Sequence, residues 1–381
     1  MNRTALTCIS IASLTLLAAA APSIRVTAGP LSPPSGPVTP TYKTLSEVEP
    51  RTAVSAINTP GAAGVQFVIS APGSYYLTGN LPGAAAKTTI TITADDVTLD
   101  LNGFEISGVP TSLDAINATA STRGISVRNG TITGFPAGTG IAAISASGGR
   151  FADLTIASCG SEGLWAGPDS HLDRITVRAC RNGIRTGDRS TIADSTARDC
   201  TQRGIDAGSH CTISRCASVG NAGHNIYASA FAVIDRCTAN QSTGAHGIAC
   251  PLYAVVSDCI AVQNFGNGID VANRSTVHDC TASQNGAHGI HSNYVGLVSR
   301  CIAEFNGGCG ILCDAGGGVD IVENQCSENG AALAGAGIRV TAGGCRVERN
   351  NMDLCRTGID ITGTRNIIVR NSVAASTIAD Y

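Results

Sequence analysis

Large rings are scarce in this sequence. Aromatic residues make up 4% of 381 residues, with a single tryptophan, and charged residues only 14%. A chain this poor in rings fills its core with small and β-branched side chains, which favours strands over packed helices. A surplus of positive charge is also missing, since 25 Lys and Arg face 28 Asp and Glu for a formal net charge of −3. That argues against a nucleic-acid binder, which carries a basic surface. After the first 21 residues no apolar run is long enough to cross a bilayer.

Glycine is plentiful at 45 residues, and hydrophobic content is 43%. The chain opens on Arg3, a largely apolar stretch from Ala5 to Ala21, and small residues at which a leader could be cut. Residues 1–28 read as a signal peptide with cleavage near 20–28, so the protein is expected to be secreted, periplasmic or held at the cell surface. Residues 29–60 form a proline-rich arm and cap, with Pro30, Pro33, Pro34, Pro37 and Pro40, then Thr44 to Glu49 stopped by Pro50. Residues 61–381 are one repetitive domain.

From Gly140 onward a Gly-Ile or Gly-Leu pair recurs, at Gly163, Gly183, Gly204, Gly247, Gly268, Gly289, Gly310, Gly337 and Gly358, with Asn225-Ile226 in one slot. The spacing is about 21 residues, and a second apolar cluster such as Val255-Val256 lies between successive pairs. Leucine-rich repeats share the period but need several leucines per repeat, which are missing here. No repeat holds helical spacing long enough to pack. What remains is all-β: a parallel β-helix in which one repeat makes one coil and successive coils rise by about 4.8 Å.

The pattern Val-x-Asp-Cys-Thr-Ala-x-x-Asn-Gly-x-x-Gly-Ile, preceded by "PGSYYLTGNL" and "ITADDVTLDLNGFEISG", resembles right-handed parallel β-helix repeat proteins of the pectate-lyase-like superfamily. The resemblance covers roughly residues 61–373. It implies a single-stranded right-handed solenoid, and it leaves activity open, because the superfamily includes lyases, glycosidases, epimerases and members without catalysis. Of the polygalacturonase-like signatures Asn-Thr-Asp, Asp-Asp, Gly-His-Gly and Arg-Ile-Lys, only Asp95-Asp96 occurs, and Gly223-His224-Asn225 departs from Gly-His-Gly. The Asp-Pro-His of alginate epimerases is absent.

Two columns emerge when the coils are aligned. One runs Cys216, Cys237, Cys259, Cys280, Cys301, Asn324, Asn350, Asn371; the other, five residues on, includes Cys159, Cys180, Cys200, Asn221, Asn264, Asn285, Asn306, Asn329 and Cys355. Amides and thiols alternating at stacked positions point to bends. Parallel Cβ vectors about 4.8 Å apart are too wide for a relaxed disulfide, and a linear stack offers an ion only two near thiolates, so buried free thiols and no metal or cofactor are expected. His224, His246 and His288 fill a turn position that Asn267 and Cys309 fill elsewhere.

The residue after each Gly-Ile pair faces outward by strand alternation. That column contains Trp165, Arg185, Asp206, Tyr227, Asp270 and His291. Exposed rings beside charged groups suit a polysaccharide, and these six residues are the candidate binding site. Asp206 and Asp270, three coils apart, are too distant to flank one glycosidic bond. The reading is an exported polysaccharide-binding or surface-structural protein without a recognisable catalytic site. The alternative is a lyase or glycoside hydrolase working in a groove on the same sheet, and adjacent Arg185 and Asp206 leave a Ca²⁺-dependent lyase open. The exposed edges of the terminal coils leave room for an oligomer.

Overall fold

The computed structural model describes residues 49–119, 121–330 and 335–376. The segment expected to be a signal peptide, with Cys8, and most of the proline-rich arm lie outside the described residues. Glu49 onward forms one compact unit. Among the described residues there is no helix, and therefore none long and apolar enough to cross a membrane.

The strand ladders are parallel, each strand pairing with its copy one coil away. One sheet of fourteen strands, from Val65–Ile69 to Ile359–Ile361, makes the front of the solenoid; a second sheet of 26 strands wraps the other faces. Pairing begins with Thr52–Ala53 against Tyr75–Tyr76, so the first strand falls within the segment read as the cap. On the front sheet the repeat residues lie in register: Leu164, Ile184, Ile205, Ile226, Ile248, Ile269, Ile290 and Ile311 stack rung on rung and are fully buried. Like packs on like, which explains why one apolar residue recurs at a fixed interval.

From the coil holding Ile116 onward, each coil turns at three sharp bends. In the coil holding Ile205 they fall at His210 (φ 58°), Arg215 (φ 52°) and Gly220 (φ 69°). The residues that follow, Cys211, Cys216 and Asn221, point inward and are buried. A left-handed conformation costs a non-glycine residue roughly 1–2 kcal/mol, so something must repay most of these bends.

Part of the repayment is the amide column. Asn285 Oδ1 accepts the backbone N–H of Asn264 at 3.0 Å, and its Nδ2 donates to the carbonyl of Ala261 and to Asn306 Oδ1, both at 3.0 Å. Backbone groups that the bend takes out of the strand ladder are thereby satisfied by the coil above. The thiols do the same: Cys237 Sγ accepts the N–H of Cys216 at 3.4 Å and donates to the carbonyl of Asp235 at 3.3 Å. Asparagine and cysteine interchange because both offer a short donor and acceptor. All fifteen cysteines from Cys159 to Cys355 are free and buried.

The single break in the Gly-Ile slot has a local cause. Ser242 is too short to continue the amide column, and the Asn225 amide fills the gap. It accepts from Asn221 Nδ2 at 2.8 Å and donates to Asn264 Oδ1 at 2.9 Å. Elsewhere the slot requires glycine, since a Cβ on Gly268 would lie 2.5 Å from Asn285 Nδ2. On the outside, residues at one bend pair across coils, as Arg174 with Asp153, Arg215 with Asp194 and Arg300 with Asp279. Being exposed, each such pair adds at most about 1 kcal/mol.

Two outcomes test this account. Asn285→Ala strands a buried N–H and a buried carbonyl, and should lower unfolding free energy by roughly 2–4 kcal/mol, measured by urea denaturation. Thiol titration of unreduced, denatured protein should find the cysteines free, whereas the native protein should resist alkylation at pH 8, because all fifteen thiols are buried out of reach of the reagent, and burial pushes Cys200 and Cys250 up to about 12. Paired cysteines would contradict the stacking.

Candidate functional site

The front ladder carries the six candidate residues as expected from alternation. Register pairs Ala142 with Trp165, Trp165 with Arg185, Arg185 with Asp206 and Asp206 with Tyr227; then Tyr227 with Ala249, Ala249 with Asp270 and Asp270 with His291. All six are partly exposed, while the neighbours on either side of each in its strand are buried.

They form two groups. In the first, the Arg185 guanidinium lies 4.1 Å over the Trp165 ring and reaches Asp206 at 3.5 Å and Glu162 at 3.6 Å. Arg203 stacks on the Tyr227 ring at 3.9 Å and binds Asp206 at 2.8 Å. Each aromatic ring thus has one face covered by a guanidinium. The opposite side of each adjoins an alanine rung, Ala142 beside Trp165 and Ala249 beside Tyr227.

In the second group, His291 sits between two carboxylates, with Nδ1 3.0 Å from Asp270 and Nε2 2.9 Å from Asp314. His246 Nε2 contacts the other oxygen of Asp270 at 3.1 Å. A cleft of about 340 Å³ opens where Ala249 supplies no bulk; its walls include Tyr227, His224, His246, Pro251 and Asp270. Among the described residues no cluster of His, Cys, Asp and Glu is arranged to hold a metal ion.

The histidines of the turn slot do two things. His246 Nδ1 accepts the backbone N–H of Asn267 at 2.8 Å, and His288 Nδ1 that of Cys309 at 2.9 Å. This is the turn role expected of them. It also fixes the tautomer, because a ring whose Nδ1 accepts carries its proton on Nε2. Burial lowers the pKa of His246 and His288, and takes His224 down to about 4, with the neighbouring His246 and Arg203 adding to the effect. His291 is different. Burial opposes its charge, but the hydrogen bonds to Asp270 and Asp314 outweigh it and raise the imidazole to about 9.

Sequence reasoning passed over Glu162, Arg203 and Asp314. The first two occupy the same slot before the Gly-Ile pair as the histidines, so extending that column beyond its histidines and amides finds them. Asp314 lies in the turn after Cys313, and only the structure brings it to His291.

The imidazole shifts set opposite pH trends. His291 is raised above its unfolded value of 6.5, so its contribution is complete below that pH and lost as pH rises through about 9. His291→Gln should cost on the order of 2 kcal/mol at pH 6 and almost nothing at pH 10. His224 is lowered, so it favours the folded state above pH 6.5 and this is lost as pH falls toward about 4. His224→Asn should flatten that acid limb in thermal melts; an unchanged limb would contradict the assignment.

Comparison with known proteins agrees with the solenoid. Among curated protein sequences none matches. Among solved structures, the A-module of a mannuronan C-5 epimerase from Azotobacter vinelandii aligns at 16% identity and TM-score 0.49, covering 81% of this chain and 89% of that one. A periplasmic alginate epimerase aligns at 13% identity and TM-score 0.40, covering 84% and 81%. At these identities and TM-scores neither alignment carries the assignment, which rests on the family profile. The profile of the right-handed β-helix region matches residues 114–251, 169–296 and 254–374 in overlapping runs. With parallel coils, inward isoleucines and bend columns through the same residues, the chain belongs to the right-handed β-helix family.

Proposed function

We propose that the front ladder binds a glycan chain, in an exported protein whose solenoid holds the binding groups rigidly in line. One observation carries this reading. Trp165 and Tyr227 are each backed by a guanidinium on one side and border an alanine rung on the other. A sugar ring stacks on an aromatic face through its C–H groups, while carboxylates such as Asp206 and Asp270 accept its hydroxyls. Three coils separate the two rings, roughly 14 Å, with Arg185 and Asp206 between them.

Binding is favoured over catalysis by how the polar groups are used. The two nitrogens of His246 are both engaged, His291 is held between two carboxylates, and Asp270 accepts from two imidazoles. A general base needs a free lone pair at the working pH. One observation favours the second reading, a carbohydrate-active enzyme: His224 Nδ1 is buried without a hydrogen-bond partner, in a ring whose centroid lies 5.7 Å from that of Tyr227 beside the cleft. Release of reducing or unsaturated ends from a polysaccharide, abolished in His224→Asn, would select that reading.

For the binding reading, Trp165→Ala should weaken glycan affinity by about 1–3 kcal/mol, read by isothermal titration, and leave the melting temperature nearly unchanged. Unaltered binding in a Trp165→Ala, Arg185→Ala double variant would remove the ladder as the site. Loss of folding in the single variant would show that the ring supports the core.

A further inference from the structure

The charges on the front ladder are closed among themselves. Its cations are Arg185, His291 and Arg339, and the row preceding the Gly-Ile pair adds Arg203. Every one has a carboxylate partner: Glu162 and Asp206 for Arg185, Asp206 for Arg203, Asp270 and Asp314 for His291, and Asp360 for Arg339 at 2.7 Å. Four cations therefore meet five carboxylates, and the face as a whole is slightly acidic. The remaining imidazoles of that row, His224, His246 and His288, are held neutral by burial. Arg181 and Arg274 lie at the bends flanking the sheet, where Arg274 is engaged with the Tyr253 ring.

Resting on the glycan-binding reading above, we infer that the ligand of this face is a neutral polysaccharide, seated in two stacking notches that point away from each other. One is the cleft over Ala249 against Tyr227; the other is assigned by the same arrangement to the side of Trp165 away from Arg185, where the neighbouring rung is Ala142. The guanidiniums cover the inner faces of the two rings, so the open faces look outward along the solenoid axis. Five coil steps separate the two alanines, roughly 24 Å, a span for several sugar residues lying along the ladder.

A chain with a carboxylate on every sugar would have to break an existing ion pair to gain a cation, and would lie against Asp206, Asp270, Asp314 and Asp360. Neutral hydroxyls have no such conflict. Ionised carboxylates accept hydrogen bonds from them without giving up their own cations, because a carboxylate has about four acceptor positions. Notch depth comes from the alanines: at Ala249 the methyl group ends where Tyr227 and Asp270 continue outward on either side.

Affinity electrophoresis of the full exported chain tests this directly, with soluble β-glucan and galactomannan as neutral probes and polygalacturonate and alginate as acidic ones, all at low salt. At least one neutral probe should retard the protein, and neither polyuronate should. Ala249→Leu and Ala142→Leu, which add bulk beside the two rings, should each weaken retardation tenfold or more in protein that circular dichroism shows to be folded. Retardation by a polyuronate, abolished by salt or by Arg203→Ala, would overturn the neutral assignment while leaving the glycan-binding face intact. Undiminished retardation in both leucine variants would overturn the notches. Retardation by none of the four probes would overturn the assignment together with the glycan-binding reading beneath it.

Discussion

What this solenoid depends on is the satisfaction of backbone groups at its bends. Strands that stack in parallel look after their own N–H and C=O groups; a chain turning through a left-handed residue three times per coil does not. At the bends of the amide and thiol columns a short side chain on the next coil reaches back to the N–H and carbonyl released by the turn, as Asn285 does for Asn264 and Ala261. Where a thiol takes the place of the amide the contacts are longer and weaker, yet they join the same two kinds of group. The long apolar stack inside is possible only because the corners hold, since one unsatisfied buried corner costs about as much as burying an isoleucine stabilises.

That arrangement frees the outer surface. With the inward positions committed to isoleucine, alanine, asparagine and cysteine, the residue after each Gly-Ile pair faces no packing demand and varies from tryptophan to aspartate. Because rungs lie about 4.8 Å apart, a long side chain reaches the rung above or below, and ion pairs and ring stacks run along the axis. Arg185 touches Trp165, Glu162 and Asp206 at once for this reason. A small residue in the row has the opposite effect. At Ala249 the row drops away and a cleft forms between tyrosine and aspartate.

The histidines show how one slot can serve two ends. The Nδ1 atoms of His246 and His288 do the work of a bend amide, which is why Asn267 occupies the same position, while His224 and His246 also line the cleft. Holding the ring by Nδ1 decides where its proton lies and keeps it neutral. His291, on the ladder and not in the slot, is free of that constraint, and two carboxylates make it a cation.

The sequence by itself determined the architecture. A fixed period, isoleucine in a constant phase and amide or thiol at two constant offsets together specify coil length, inward face and corners, because a solenoid maps sequence distance onto axial distance with no long-range folding to obscure it. It determined the row of outward residues for the same reason. Only the tertiary structure decided which members of that row act together. Arg203 stacking on Tyr227, Asp314 reaching His291 and the cleft over Ala249 depend on where long side chains lean between coils. Asn225 standing in for glycine depends on the length of Ser242 in the next coil. Side-chain direction and reach are settled by local packing across rungs, and the period that fixes the backbone says nothing about them.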